Sequence, residues 1–219
     1  MSCAIVTGAG RGIGKAVADR LAQDGHEVVR VDLNPGEGIL VADVTDPEDR
    51  AKIVAAAGTV DVLVNNAGIT KDARIVKMTE EDFLAVIRVN LGAAYELTRA
   101  CTFNEGAAVI SLASRAYLGN FGQFNYSASK GGLVGMTRAL ALELAPKVRV
   151  NAIAPSLTAS EMTAAMPEQV LEKMIASIPL GRQAETAEIA ETIAALASPA
   201  TAYVTGQVLV ACGGRSLAP

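Results

Sequence analysis

The feature that most limits how this chain can fold is an alternation. Short apolar runs, each the length of a strand, are followed by segments with helical spacing. Cys3–Thr7 is such a run, and behind it Gly12–Asp24 sets Ile13, Val17 and Leu21 four apart, on one face of a helix. The switch from one period to the other then recurs along the chain. Glu27–Asp32, Ile39–Ala42, Val60–Val64, Ala107–Leu112, Val148–Ala152 and Gln207–Val210 read as further strands. Helices are expected from Thr79, an N-cap with Asp82 three residues on, to about Cys101, from Tyr126 to about Ala145, and over Thr186–Ala197. Apolar runs without polar alternation suit strands covered on both faces, and repeated strand–helix–strand units give right-handed crossovers on a parallel sheet. The expectation is an α/β fold: one domain over residues 1–219, a doubly wound parallel sheet of about seven strands with helices on both faces. Asn34–Gly38 is too short for a helix between the second and third strands, so that face of the sheet is expected to be less covered. Pro155–Pro179 is rich in Ala, Met and Pro and less regular, and residues 157–180 are expected to act as a mobile substrate flap.

Composition removes several functions. The net charge is −4 and no basic block occurs, so nucleic acid is not an expected partner. No apolar run reaches the roughly 18 residues of a membrane span. The chain enters Cys3–Thr7 without the charged region of a signal peptide, and its three cysteines are far apart, as in a reducing compartment. A cytoplasmic protein is expected. The single histidine, His26, follows the turn signal Asp24-Gly25 and is a poor candidate for a Ser-His-Asp triad, and no metal site is expected.

The segment joining the first strand to the first helix is Thr7-Gly8-Ala9-Gly10-Arg11-Gly12-Ile13-Gly14. Glycines between a strand and a helix let a pyrophosphate approach the backbone, and the helix N-terminus offers free N–H donors. The second strand ends in Asp32, where an acid would bond the adenosine ribose hydroxyls and repel a 2′-phosphate. NAD is therefore expected over NADP, although Arg11 argues in the opposite direction.

With Asn65-Asn66-Ala67-Gly68 and Tyr126-Ser127-Ala128-Ser129-Lys130 added to the glycine pattern, nearly the whole chain resembles the short-chain dehydrogenase/reductase family, and most closely its 3-oxoacyl reductase-like branch. Asp43-Val44, Asn90, Asn151–Pro155 and Tyr203–Gln207 extend the resemblance. It implies a Rossmann-type fold and gives residues their roles. Asp43 and Val44 would hold the adenine, and Asn66, Ala67 and Gly68 would line the cofactor site together with Pro155, Ser156 and Leu157. Tyr126 would be the acid/base, Lys130 its partner, and Asn90 the holder of a relay water. A serine should orient the substrate oxygen. The family's serine generally lies thirteen residues before the tyrosine, which here is Ala113; Ser114 lies twelve before and Ser111 fifteen before. Ser114 is preferred, on a loop one residue shorter, with Ser111 as the alternative. Pro155-Ser156 also departs from the usual Pro-Gly.

The implied chemistry is reasonable for these side chains. A free phenol titrates near ~10, and a cation within ~4–6 Å can lower it by ~1–3 units. Lys130 lies four residues after Tyr126, on the same helical face. Tyrosinate is thus expected to be accessible near neutral pH. Tyr117, Leu118, Phe121, Leu157 and Met162 are candidate pocket residues for a small or medium alcohol or ketone, and Arg115 is the one basic side chain considered there. The two long helices carry many small residues, Gly131, Gly132 and Gly135 among them, and the resemblance implies that they form the interface of a homotetramer or dimer. Three functions are weighed: an NAD-linked secondary-alcohol dehydrogenase or ketone reductase, an NADPH-dependent 3-oxoacyl-thioester reductase, and a catalytically idle nucleotide-binding regulator.

Overall fold

A computed structural model describes residues 2–164 and 166–217, with the side chains of 161 and 162 outside that description. Met162 therefore lies outside the described side chains. Seven strands, β1 (Cys3–Thr7), β2 (Glu27–Asp32), β3 (Ile39–Val41), β4 (Thr59–Asn65), β5 (Thr102–Leu112), β6 (Val148–Pro155) and β7 (Val208–Ala211), form one sheet in the order β3-β2-β1-β4-β5-β6-β7. Every neighbouring pair is parallel.

Period-2 alternation sends successive side chains to opposite faces. Ala4 and Val6 of β1, with Val62 and Val64 of β4, pack on α1 (Gly12–Gln23) and α8 (Thr186–Ala197) through Val17, Leu21, Ile189 and Ile193. Ile5 and Leu63 point the other way. They join Ile53 of α2 (Pro47–Ala57), Leu97 of α4 (Ala93–Ala100) and Ala141 of α5 (Phe124–Glu143). Each fully buried Ile or Leu in these layers contributes about 1.5–3 kcal/mol of transfer free energy.

β2 and β3 are parallel neighbours, yet no helix joins them, as the short Asn34–Gly38 segment led one to expect. Parallel neighbours usually need a crossover of a dozen or more residues. Here Arg30 pairs with Ile39 and Asp32 with Val41, so β3 meets only the last three residues of β2. The chain has to retreat about two residues, or ~7 Å, before pairing. Val41 is left exposed, which is the thin cover anticipated at this edge.

Three expectations are corrected. The helix expected from Thr79 to Cys101 is interrupted. Thr79 does cap α3 (Glu80–Ile87) by accepting from the Asp82 N–H, but Arg88–Gly92 form a π-helical turn before α4 begins. α2 was not anticipated, because only Ile53 of it is buried and its apolar spacing is weak. Its signals were local: Asp46 caps it, Pro47 opens it, and Glu48 and Asp49 fill the first turn. The expected irregular flap holds two helices, α6 (Glu161–Ala164) and α7 (Glu168–Ala176). Of the small residues on α5, Gly132 serves this chain itself, since a Cβ there would sit 2.5 Å from Leu91 Cδ2. Around Gly131 and Gly135 the space is open.

Candidate active site

The strand order reverses direction between β1 and β4, and clefts form outside the carboxyl ends of strands at such a point. A cleft of about 1000 Å³ opens there. It runs from the glycine-rich turn, Asp32 and Asp43-Val44, past Asn66–Gly68, to Ser114, Tyr126 and Lys130. Pro155, Ser156 and Leu157 form part of its wall. Of the site residues read from the sequence, only Gly10 and Asn90 do not line it.

At the turn, the glycines answer to specific neighbours. Gly8 has φ +65°, in the left-handed region, and a Cβ on Gly14 would lie 2.0 Å from the Gly8 carbonyl oxygen. A Cβ on Gly10 would meet Asp32 Oδ2 at 2.9 Å. The reason is that the Gly10 N–H donates to that same carboxylate oxygen over 2.9 Å. Asp32 also accepts from the Asn34 backbone and side-chain amides. Burial alone would raise its carboxyl. The Asn34 and Gly10 N–H groups and the Arg11 charge outweigh that and hold it below the usual carboxylate range. Asp32 is therefore ionised, and Oδ2, with one bond, keeps acceptor capacity for a hydroxyl.

Asn66 does more than line the cleft. Its amide Nδ2 donates to the Thr7 and Gly8 carbonyls, while its N–H and that of Ala67 donate to Thr7 Oγ1. It ties the end of β4 to the glycine turn. Asp43 Oδ1 accepts from the Thr45 N–H and hydroxyl, shaping the loop that presents Val44.

At the other end, α5 carries Tyr126 and Lys130 on one face. The Lys130 ammonium lies 5.5 Å from the Tyr126 ring centroid and donates to the Leu112 carbonyl over 2.6 Å. Burial pushes Lys130 down to about 8. Burial also raises the Tyr126 phenol. The Ser114 hydroxyl, within hydrogen-bond reach of it, pulls downward, and the negative charge of Asp72 adds to the rise. The expected lowering of Tyr126 by Lys130 is thus absent from the protein alone. Desolvation outweighs it, and the ammonium is directed at the Leu112 carbonyl. Ser114 lines the cleft beside Tyr126, whereas Ser111 is buried inside β5 and its hydroxyl has no partner.

Asn90 sits in the π-helical turn, a distortion often found at functional sites. Its Oδ1 accepts from the Ile69 N–H, and its Nδ2 donates to the Ile69 carbonyl and to Ser129 Oγ. Both amide hydrogens are used, so the side chain positions the loop after Gly68, and a water there would be held through an acceptor oxygen of Asn90. Tyr117 is corrected: it packs, partly buried, against the small cluster of Ala113, Val134, Ala152 and Ala154, and Leu118 is exposed. Phe121, Leu157 and Arg115 do line the cleft.

Two further residues, one beneath the cleft and one on its wall, were not anticipated. Asn125 is fully buried. It accepts from the Tyr126 N–H and donates to the Lys71 carbonyl, fixing the start of α5 against the loop after β4. A buried asparagine immediately before the tyrosine was the available signal. Arg215, from the segment after β7, reaches the cleft as well. Among the described residues no group of three or more metal-ligating side chains occurs, and no helix is long and apolar enough to cross a membrane.

Comparison with known proteins places this geometry among oxidoreductases. Residues 8–216 match the family model described as Enoyl-(Acyl carrier protein) reductase. The chain is 40% identical to the 3-oxoacyl-[acyl-carrier-protein] reductase FabG of Thermotoga maritima, over 96% of each chain. It is 37% identical to the (2S)-[(R)-hydroxy(phenyl)methyl]succinyl-CoA dehydrogenase subunit BbsD of Thauera aromatica, over 98% of this chain and 96% of that one. A crystal structure titled short-chain dehydrogenase/reductase SDR:Glucose/ribitol dehydrogenase, from Brucella melitensis, superposes with a TM-score of 0.92 at 33% identity, covering 98% of this chain and 96% of the other.

Proposed function

This chain belongs to the short-chain dehydrogenase/reductase family of oxidoreductases that act on CH–OH groups, and we propose that it exchanges a hydride between NAD(H) and a secondary alcohol or ketone through Ser114, Tyr126 and Lys130. The observation that carries this reading is that Ser114, Tyr126 and Lys130 share the wall of one cleft with the glycine turn. A volume of about 1000 Å³ is at the upper end for a single ligand, which suits an extended dinucleotide with a small substrate beside it. Gly8, Gly12, Gly14, Asp32, Asp43 and Val44 would hold the adenosine and pyrophosphate end, with Asn66, Ala67, Gly68, Pro155, Ser156 and Leu157 towards the nicotinamide. The nicotinamide, when bound, supplies the hydride acceptor or donor.

The chain's own residues do the rest. Ser114 donates a hydrogen bond to the substrate oxygen and fixes it beside Tyr126. In oxidation Tyr126 takes the hydroxyl proton; in reduction its phenol gives that proton to the carbonyl oxygen. Lys130, charged below about pH 8 and beside the Tyr126 ring, would favour the phenolate together with the positive charge of the oxidised nicotinamide. Asn90 acts as a positioning residue, holding the Ile69 backbone through both ends of its amide.

The preference for NAD rests on Asp32, ionised and turned toward the glycine turn, where it would repel a 2′-phosphate. A second reading, an NADPH-dependent 3-oxoacyl-thioester reductase, is favoured by the similarity to the FabG reductases. The same proposal takes the protein to be cytoplasmic and a homotetramer or dimer. Steady-state assays with NAD(H) and NADP(H), run against acyl thioesters, sugar alcohols and cyclic ketones, decide between the two readings. A higher kcat/KM with NADPH on thioesters overturns the first. Binding of NADH without turnover on any substrate would indicate an idle regulator.

A further inference from the structure

We propose that Arg115 and Arg215 form a recognition site for a carboxylate on the substrate itself, so that the ketone or alcohol processed here is an oxo or hydroxy acid. The inference rests on the reading of the cleft as the catalytic site. Arg115 follows Ser114 directly, and both line the cleft. Arg215 reaches the same cleft from the opposite side of the chain, in a turn whose N–H donates to the Cys212 carbonyl. Both arginines line one cleft, and the Arg115 charge acts on Arg215, which is held below the usual arginine range first by burial and then by that charge. The Arg115 charge also contributes to lowering the Cys212 thiol, after burial, which opposes it, and the hydrogen bonds from Ser216 and Gly214.

Like charges in a partly desolvated cleft are unfavourable unless an anion joins them. Among the described residues neither arginine forms an ion pair, and Arg115 Nε is buried without a hydrogen-bond partner. The carboxylates that line the cleft are engaged elsewhere. Asp32 is bound by Gly10 and Asn34, Asp43 by Thr45, and Asp72 accepts from the Gln123 amide. Two planar guanidinium forks are thus left unmatched beside the reacting centre, and a carboxylate fits such a fork with two parallel N–H···O bonds. Arg115 follows Ser114 in the chain and both line the cleft, so an anion held by Arg115 and an oxygen held by Ser114 share one wall of it. That placement favours a carboxylate on the substrate body over a phosphate at the far end of a carrier arm.

The test uses the full chain with Arg115→Gln and Arg215→Gln, assayed on 3-oxobutanoate, its methyl ester and its coenzyme A thioester. The expected result is a wild-type preference for the free acid and a rise in KM for the acid of about tenfold or more in each variant, ~1.4 kcal/mol, with little change in KM for the ester. Equal wild-type kcat/KM for acid and ester overturns the proposal, as does an equal loss on both, or a loss confined to the thioester. Thermal melting with malonate, against chloride at matched ionic strength, reads the site without turnover. Malonate should raise the wild-type Tm and lose that effect in the double variant; no rise, or an equal rise in both, overturns the anion site. If the wild type turns over none of the three ketones but malonate still acts through the arginines, the anion site stands and the catalytic reading is what fails.

Discussion

The two ends of the cleft are built differently. At the glycine turn, hydrogen bonds between protein groups occupy the polar atoms: Asn66 on the Thr7 and Gly8 carbonyls, and Asp32 on Gly10 and Asn34. At the chemical end polar atoms are left without partners, namely Arg115 Nε and Ser156 Oγ, and an ammonium is buried beside a phenol. One end is shaped before any ligand arrives. The other holds unfavourable burial that a ligand can relieve. Changes at the first end should therefore act through shape, and changes at the second through charge and protonation.

The sharpest break in that contrast comes at Tyr126. Tyr126→Phe removes one oxygen and leaves the ring, so cofactor binding should be unchanged while kcat falls by about 10²–10⁴-fold, the usual worth of a placed acid/base. Wild-type turnover in this variant would remove the mechanism. Lys130 gives the next largest effect, on stability. Its pKa is about 8 in the folded protein against 10.5 unfolded. Between those values the unfolded chain binds the proton and the folded chain does not, so stability rises with pH. Below about 8 both forms are protonated, and the cost of burying the charge is present in full, on the order of 3 kcal/mol. Lys130→Met lacks this dependence. Denaturant unfolding of both proteins across this range should show the wild type gaining on the variant as pH rises; a constant difference would mean that the ammonium is not buried at this cost.

The same contrast explains what could be read from the sequence. The sheet, its seven strands and the glycine turn were legible because period-2 and period-3.6 patterns and φ-positive glycines are local signals. The missing β2–β3 helix was legible from length alone. α2 was missed because one buried residue, Ile53, leaves almost no periodic trace, although Asp46-Pro47 marked its start. The break at Arg88–Gly92 was invisible, since a π-turn changes hydrogen bonding without changing residue type. The lining of the cleft by Tyr126 and Lys130 followed from the family resemblance, and that by Ser114 from the same resemblance with a loop one residue shorter. What did not follow was the protonation balance: the rise of Tyr126 depends on how much water the fold removes, and on Asp72 from a distant loop. Arg215 was not anticipated, because nothing in its neighbours signals that the segment after β7 turns back to the cleft.

At the glycine turn the expected losses are smaller. Gly14→Ala drives a methyl group to within 2.0 Å of the Gly8 carbonyl oxygen and 2.4 Å of Asn66 Nδ2. Such overpacking costs about 1–3 kcal/mol, so Tm should fall and cofactor Kd should rise together. Gly131→Ala has open space and should leave Kd alone while adding about 0.5–1 kcal/mol of helix stability. A drop in Tm without a change in Kd for Gly14→Ala would mean that the turn does not shape the binding site.

The smallest predicted effect separates shape from charge at one residue. Asp32→Asn keeps the outline of the carboxylate and removes its charge. Whichever oxygen becomes an amide nitrogen gives up its bond from Gly10 or from Asn34, so affinity for NAD should weaken modestly. The repulsion toward a 2′-phosphate disappears outright. The ratio of kcat/KM for NADP(H) over NAD(H) should rise about tenfold, ~1.4 kcal/mol. If the ratio holds while both affinities fall together, Asp32 acts only as a brace for the turn, and the cofactor preference lies elsewhere, with Arg11 the first residue to examine.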